Sequence, residues 1–338
     1  MDRKKTILWI TVGLALPVIC IGLSLFIGRY DLSIGDILSI LFEPGKWVND
    51  PDRAIEYSLV REIRLPRALL AFAVGGALSV SGGALQGMFR NPLVDSGMLG
   101  VSSGAGFGAC LGIILFHNTV MVYLLAFTCG LLAVILSCLT GRIYDSAPTV
   151  TLVLGGVIIS SIFSALISFT KFVADPMEKL PTITFWLMGS LSRANFRDLG
   201  VALIPMAGGV AGIMLMRWWI NVLSLGEKEA RTLGVNTRLS RLVLITCTAV
   251  ATAGAVCVSG TIGWIGLVIP HIVRMLAGND NRWLLPLSLS VGGCFLIAID
   301  LMARSLVSTE IPLGILTALV GGPFFILILK RTKGGGSW

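Results

Sequence analysis

Apolar stretches of bilayer length recur along this chain from end to end, and no other feature restricts its fold as much. A helix needs roughly 20 apolar residues to cross the hydrocarbon core. Ten windows meet or approach that length, near 6–28, 67–89, 96–116, 119–140, 149–170, 199–220, 241–258, 263–277, 283–303 and 312–330. They are continuously apolar, whereas strands of a membrane barrel alternate over segments of about ten residues. A β-barrel is therefore excluded. Only 13% of the 338 residues are charged, against about 25% in soluble domains, too few to cover a globule in water. The sequence predicts an all-α polytopic membrane protein with one transmembrane domain over 1–333 and a flexible GGGSW tail over 334–338.

An even number of spans puts both termini on one side. Arg3, Lys4 and Lys5 at one end and Lys330, Arg331 and Lys333 at the other assign that side to the cytoplasm, where basic residues accumulate. The apolar run near the N-terminus is longer than a signal-peptide core and lacks an Ala-x-Ala-like cleavage site, so it reads as a retained first span in the cell membrane. The net charge of +8 sits mostly at the flanks of apolar segments, where lipid headgroups account for it. Nucleic-acid binding is excluded, since no soluble domain exists to carry it. The parity leaves an unusual knot of cations outside. Residues 61–70, REIRLPRALL, place Arg61, Arg64 and Arg67 at the mouth of the second span.

Enzyme signatures are scarce. Cysteines stand singly at 20, 110, 129, 138, 247, 257 and 294, with no CxxC pair and no metal-ligand cluster. His117 and His271 are the two histidines, and no His-Glu-x-x-His occurs. No Walker A sequence is present, so the chain has no P-loop of its own for ATP. Ion coupling would call for ionisable groups near mid-membrane. Asp300 lies in the ninth span, but four residues before Arg304, where the two pair on one helix face. Arg90, Asp95 and Arg142 fall near the cytoplasmic rim. That scarcity favours an external motor over an ion-coupled secondary transporter, which stays as the remote alternative.

Two patterns bear on packing. Gly75, Ser79, Gly83 and Gly87 line one face of the second span, and Gly100, Gly104, Gly108 and Gly112 line one face of the third. Small residues every fourth position let helix backbones approach closely. The heptads GALSVSG (76–82) and GAVCVSG (254–260) are followed at the same offset by Pro92 and Pro270, with five spans between them, which reads as an inverted repeat. The longest polar cytoplasmic segment is 221–241. Its middle is helix-favourable and ends at Gly234, a natural position after a helix C-terminus.

These segments resemble the permease subunits of type II ATP-binding-cassette importers for iron–siderophore, haem and cobalamin. The likeness lies in RLPRALLAFAVGGALSVSGGALQGMFRNPLVDSGMLGVSSGAG (64–106), FWLMGSLS (185–192), LGEKEARTLGV (225–235), GTIGWIGLVIPHIVRMLAG (260–278) and IPLGILTALVGGPFFILIL (311–329). It implies the ten-helix type II permease fold and a dimer with a second copy or a close paralogue. It further implies two ATPase subunits beneath, which carry the ATP and Mg, and a substrate-binding protein above. The chain itself binds no cofactor and no metal on this reading, and its cargo is a ferric siderophore, with haem or cobalamin as alternatives.

In such permeases, rim arginines receive carboxylates of the binding protein. The matching positions are Arg64, Arg67 and Arg304, and spacing adds Arg61. Gly226, Glu229, Ala230, Arg231 and Gly234 match the loop that takes the push of the ATPase, with Arg231 where the related motif has a second alanine. Thr149 matches a gate position of the cobalamin permease, while its neighbour Val150 departs from the polar residue found there.

Overall fold

The computed structural model describes residues 3–28, 30–43, 45–48, 53–116, 118–141 and 148–332. His117, Arg142 and the 334–338 tail lie outside these. The described residues form helices without strands. In order they are α1 (Arg3–Phe26), α2 (Ile34–Phe42), α3 (Gly45–Val48), α4 (Ala54–Ser58), α5 (Leu65–Phe89), α6 (Val101–Leu115), α7 (Thr119–Gly141), α8 (Pro148–Val173) and α9 (Lys179–Met188). There follow α10 (Phe196–Leu215), α11 (Arg217–Leu225), α12 (Glu227–Thr232), α13 (Thr237–Ser259), α14 (Ile265–Ala277), α15 (Asn281–Ser305) and α16 (Leu313–Thr332). Among the described residues seven helical stretches are long and apolar enough to cross a bilayer, and α6, α14 and α16 are shorter apolar helices.

Helix α5 is the centre of the packing. It is buried along nearly its whole length and touches α1, α10, α13, α14 and α15. The small-residue stripe makes this possible. A Cβ at Gly75 would collide with the Gly292 carbonyl oxygen of α15, Gly83 faces Leu284 and Leu285, and Gly87 faces Ile220 and Asn281. The second stripe works in the same way on α7. Gly104 lies against the Cys129 carbonyl, Gly108 against that of Leu125 and Gly112 against Val122. Where backbones meet without side chains between them, dispersion and close carbonyl contacts hold the helices together. Both stripes are packing surfaces.

Several boundaries differ from the sequence reading, each for a local reason. The second span starts early: α4 runs through a π-helical turn, Leu59–Arg64, into α5, so Arg61 and Arg64 are inside a helix rather than ahead of one. Pro66, which has no amide to donate, follows directly on this π-helical turn, where the helix changes its hydrogen-bond pattern. The third span begins at Val101, because Asp95 caps a short 3-10 turn, Ser96–Leu99, by accepting from the amides of Gly97 and Met98. The sixth breaks at Met216, and its amphipathic continuation becomes the separate helix α11. Helices α2 and α9, too short to span, were not foreseen. The matching heptads do not occupy equivalent places. The first is in the middle of α5, whereas the second ends α13 at Gly260 with φ 69°; Pro92 is in a turn and Pro270 inside α14.

The ends of α5 define the two faces of the molecule. Arg64 and Arg67 lie at its start, beside the end of α15, and this face is the rim. Arg90, just past its end, lies beside Gly226, and this is the loop face. At 1.5 Å per residue, the 25 residues of α5 separate the faces by roughly 37 Å.

Candidate functional site

At the rim, α1, α5 and α15 are tied by arginines that point inward. Arg64 is 3% exposed and donates to the carbonyl oxygens of Leu25 at 2.7 Å and Tyr30 at 2.6 Å. Gly28 leaves room for it, since a Cβ there would stand 2.5 Å from the guanidinium. Arg67 is 6% exposed, and its planar fork is filled. Its Nε donates to both carboxylate oxygens of Asp300 at 3.0 and 3.1 Å, and Nη2 donates to Oδ1 at 2.9 Å. Nη1 and Nη2 also donate to Glu310 at 2.8 and 3.0 Å. Arg304 donates from Nη2 to the Ser24 carbonyl at 2.7 Å and hydroxyl at 3.0 Å, and stands 3.7 Å from Asp300.

The Asp300–Arg304 pairing read from helix spacing is therefore present, but Asp300 makes its closest contacts with Arg67. Neither Arg67–Asp300 nor Arg67–Glu310 was foreseen. The partners lie 233 and 243 positions away, beyond any periodicity. Arg61 is half-buried and forms no ion pair among the described residues. The structure thus brings Arg67 and Arg304 together around Asp300, holds Arg64 on neighbouring carbonyls, and leaves Arg61 apart.

Beside this cluster a cavity of about 630 Å³ opens, lined among others by Tyr123, Glu178, Trp186, Ser192, Arg193 and Glu310. Tyr123 donates to Asp198 at 3.2 Å, and Asn195 donates to the same oxygen at 2.7 Å, which fixes the start of α10 against α7.

On the loop face, α11 turns at Gly226, φ 131°, into α12. Gly234 follows Leu233, the C-cap of α12, with φ 79°, a left-handed conformation that glycine adopts without steric cost. Ala230 is buried beneath α12, whereas Glu229 and Arg231 are exposed. Glu227 accepts from Arg231 at 2.5 Å and from Arg241 of α13 at 3.1 Å, joining the loop to a spanning helix. Sequence reading passed over Glu227, although its i,i+4 spacing to Arg231 was the available signal. Thr149 lies in the first turn of α8, and its side chain is outside the described residues.

A family model described as the FecCD transport family matches residues 16–331. The chain belongs to the FecCD transport family. It is accordingly a multi-pass permease of an ATP-binding-cassette transporter, and the family's role is membrane passage rather than catalysis. It is 40% identical over 329 residues to the molybdate import system permease protein MolB of Haemophilus influenzae, covering 95% of both chains. It is 42% identical over 276 residues to a permease of Helicobacter pylori named for iron chelatin transport, covering 82% of this chain and 83% of that one. Among solved structures it matches an inward-facing metal-chelate type ABC transporter with a TM-score of 0.84 and 37% identity, over 94% of this chain and 97% of the other. The all-helical FecCD fold is thus that of a type II importer permease.

Proposed function

We propose that this chain is the membrane-spanning half of an ATP-driven importer that carries a metal chelate, with a ferric siderophore as its cargo. The observation that carries the cargo reading is the 42% identity to the permease named for iron chelatin. A second reading, molybdate, is favoured by the 40% identity that extends over 95% of both chains. In either case two copies form the passage, two ATPase subunits bind the loop face in the cytoplasm, where both termini also lie, and a binding protein docks on the rim.

The residues fit these roles unequally. The α11–α12 turn is built to transmit force, because Glu227 couples it to α13 while exposed Glu229 and Arg231 present opposite charges. Thr149, in the first turn of α8, is the gate candidate on this reading. Arg64, Arg67 and Arg304 hold internal acceptors, so a docking carboxylate meets Arg67 by exchanging with Glu310, whose side chain is 34% exposed. Arg61 keeps an open charge for first encounter, a use to which rim cations are suited.

The test is reconstitution with the ATPase and binding protein encoded beside this chain, followed by uptake of ferric siderophore, molybdate, haem and cobalamin. ATP-dependent accumulation of the siderophore is the expected result. Accumulation of molybdate in its place selects the second reading, and no ATP-dependent uptake of any of them overturns both.

A further inference from the structure

Two arginine–tryptophan steps, far apart in the chain, meet at the loop face. Arg217-Trp218-Trp219 opens α11, and Arg282-Trp283 lies in the first turn of α15. Asn221 joins them. Its side-chain amide donates to Asp280 at 2.6 Å, and its side-chain oxygen accepts from the backbone and side-chain nitrogens of Asn281 at 2.8 and 2.7 Å. Arg217 stands one turn before Asn221 on the same side of α11, so it is carried toward the start of α15, where Arg282 lies. Ile220, Val222 and Leu223 are buried beneath α11, which packs against α5 and α15.

What α11 leaves outside is unlike an ordinary solvated turn. Trp218 and Trp219 are 43% and 42% exposed, set edge to face with ring centres 5.6 Å apart. Arg217 and Arg282 are exposed, and neither forms an ion pair among the described residues. Asp280, the carboxylate nearest to Arg282 in sequence, accepts instead from Asn221 and from the Arg282 backbone amide at 3.0 Å.

Helix α10 sets the depth of this patch. Its 20 residues begin beside the rim cavity and end at exposed Leu215. At 1.5 Å per residue they extend about 30 Å, the thickness of the hydrocarbon core. The helix then breaks at Met216, so Arg217, Trp218 and Trp219 emerge where acyl chains give way to headgroups. Indole rings settle at that boundary, with an apolar body and one N–H to donate. Unpaired cations beside them suit the negative surface potential of a leaflet that holds anionic lipid.

We propose that Arg217 and Arg282, flanked by Trp218, Trp219 and Trp283, form a binding site for an anionic phospholipid in the leaflet on the loop face. The guanidiniums donate to the phosphate oxygens, and the tryptophans hold the glycerol and the upper acyl chains. Through Gly226, α11 continues into α12, so the lipid is seated beside the loop proposed to meet the ATPase.

The test follows tryptophan fluorescence of the permease in phosphatidylcholine vesicles doped with lipid brominated on its acyl chains. Quenching at this site is the part that disappears in Trp218→Phe/Trp219→Phe. Brominated phosphatidylglycerol is expected to reach half of that quenching at a lower mole fraction than brominated phosphatidylcholine. Arg217→Gln and Arg282→Gln each raise the phosphatidylglycerol mole fraction needed about fivefold, the weight of one cation near an anionic surface. The double glutamine variant levels the two lipids, whereas Arg217→Lys with Arg282→Lys, which keeps both charges, retains the preference.

Equal quenching by both lipids in the wild-type permease overturns the proposal, as does a preference that survives in the double glutamine variant. Quenching by neither lipid places protein against this face in place of bilayer, and overturns it too. The measurement needs neither ATP nor cargo, so it fails separately from the importer reading.

Discussion

Arg67 grips Asp300 through three hydrogen bonds of 2.9–3.1 Å, joining the first turn of α5 to the end of α15 in a site where Asp300 is 1% exposed. Removing one partner strands a buried charge, and such losses run to about 3–5 kcal/mol. Arg67→Ala and Asp300→Ala are each expected to lower thermal stability strongly. The pair Arg67→Met with Asp300→Leu should recover most of the loss. Melting of the purified permease in detergent, arranged as a double-mutant cycle, measures this; additive losses in the pair would contradict it.

Glu310 is the weaker arm of the same cluster because it is partly solvated. Glu310→Gln should cost at most about 1 kcal/mol, as for exposed ion pairs. It should nevertheless strengthen binding-protein docking by freeing part of the Arg67 fork. Surface plasmon resonance against the immobilised binding protein reads the second effect, and weaker docking would argue for Glu310 as a direct contact.

Arg64 has no carboxylate within its hydrogen bonds and instead serves two carbonyls. Arg64→Leu leaves those acceptors unmet, at roughly 1–3 kcal/mol each if they stay dry. Hydrogen exchange should rise at 25–30 and in α2, with little change in α13. Uniform exchange across the chain would show a global role instead.

The two kinds of glycine in the spanning helices are distinguishable. Gly108→Ala forces a Cβ onto the Leu125 carbonyl, so α6 and α7 must separate, at about 1–3 kcal/mol. Gly208 in α10 has nothing within 4 Å of such a Cβ, and Gly208→Ala should be neutral or stabilising by up to about 1 kcal/mol. Comparing the two melting temperatures checks the assignment.

On the loop face, Glu227→Gln breaks contacts to Arg231 and Arg241. Stability should change by less than about 1 kcal/mol, whereas uptake per ATP hydrolysed should fall. A variant that loses stability without uncoupling would make Glu227 a simple tether.

What was legible in the sequence followed periodicity. Both small-residue stripes have the four-residue spacing of one helix face, and they pack closely as that spacing suggested, although the helices they meet, α15 and α7, were not readable from it. Gly234 was readable for the same kind of reason, since a helix end asks for a left-handed residue. The pairing of Arg67 with Asp300 and Glu310 obeys no local rule; it arises from which helices pack, and that is set by α5 as a whole. Short helices such as α2 and α9 are likewise invisible to a search for bilayer length. The heptad likeness did not carry the local roles of its glycines, because Gly82 serves a helix crossing with Gly266 while Gly260 serves a turn.

The glycine contacts of α5 set which parts of the permease can move separately. Gly75 meets Gly292, and Gly82 meets Gly266, backbone against backbone, so at these two crossings α5 has no side-chain layer on which α15 and α14 could slide. Shear is a sliding of packed helices past one another, and direct backbone contact at these crossings opposes it. These crossings tie the three helices into one block, so an alternation between faces is expected to fall to helices outside it, such as α9 and α16, which touch their neighbours sparingly.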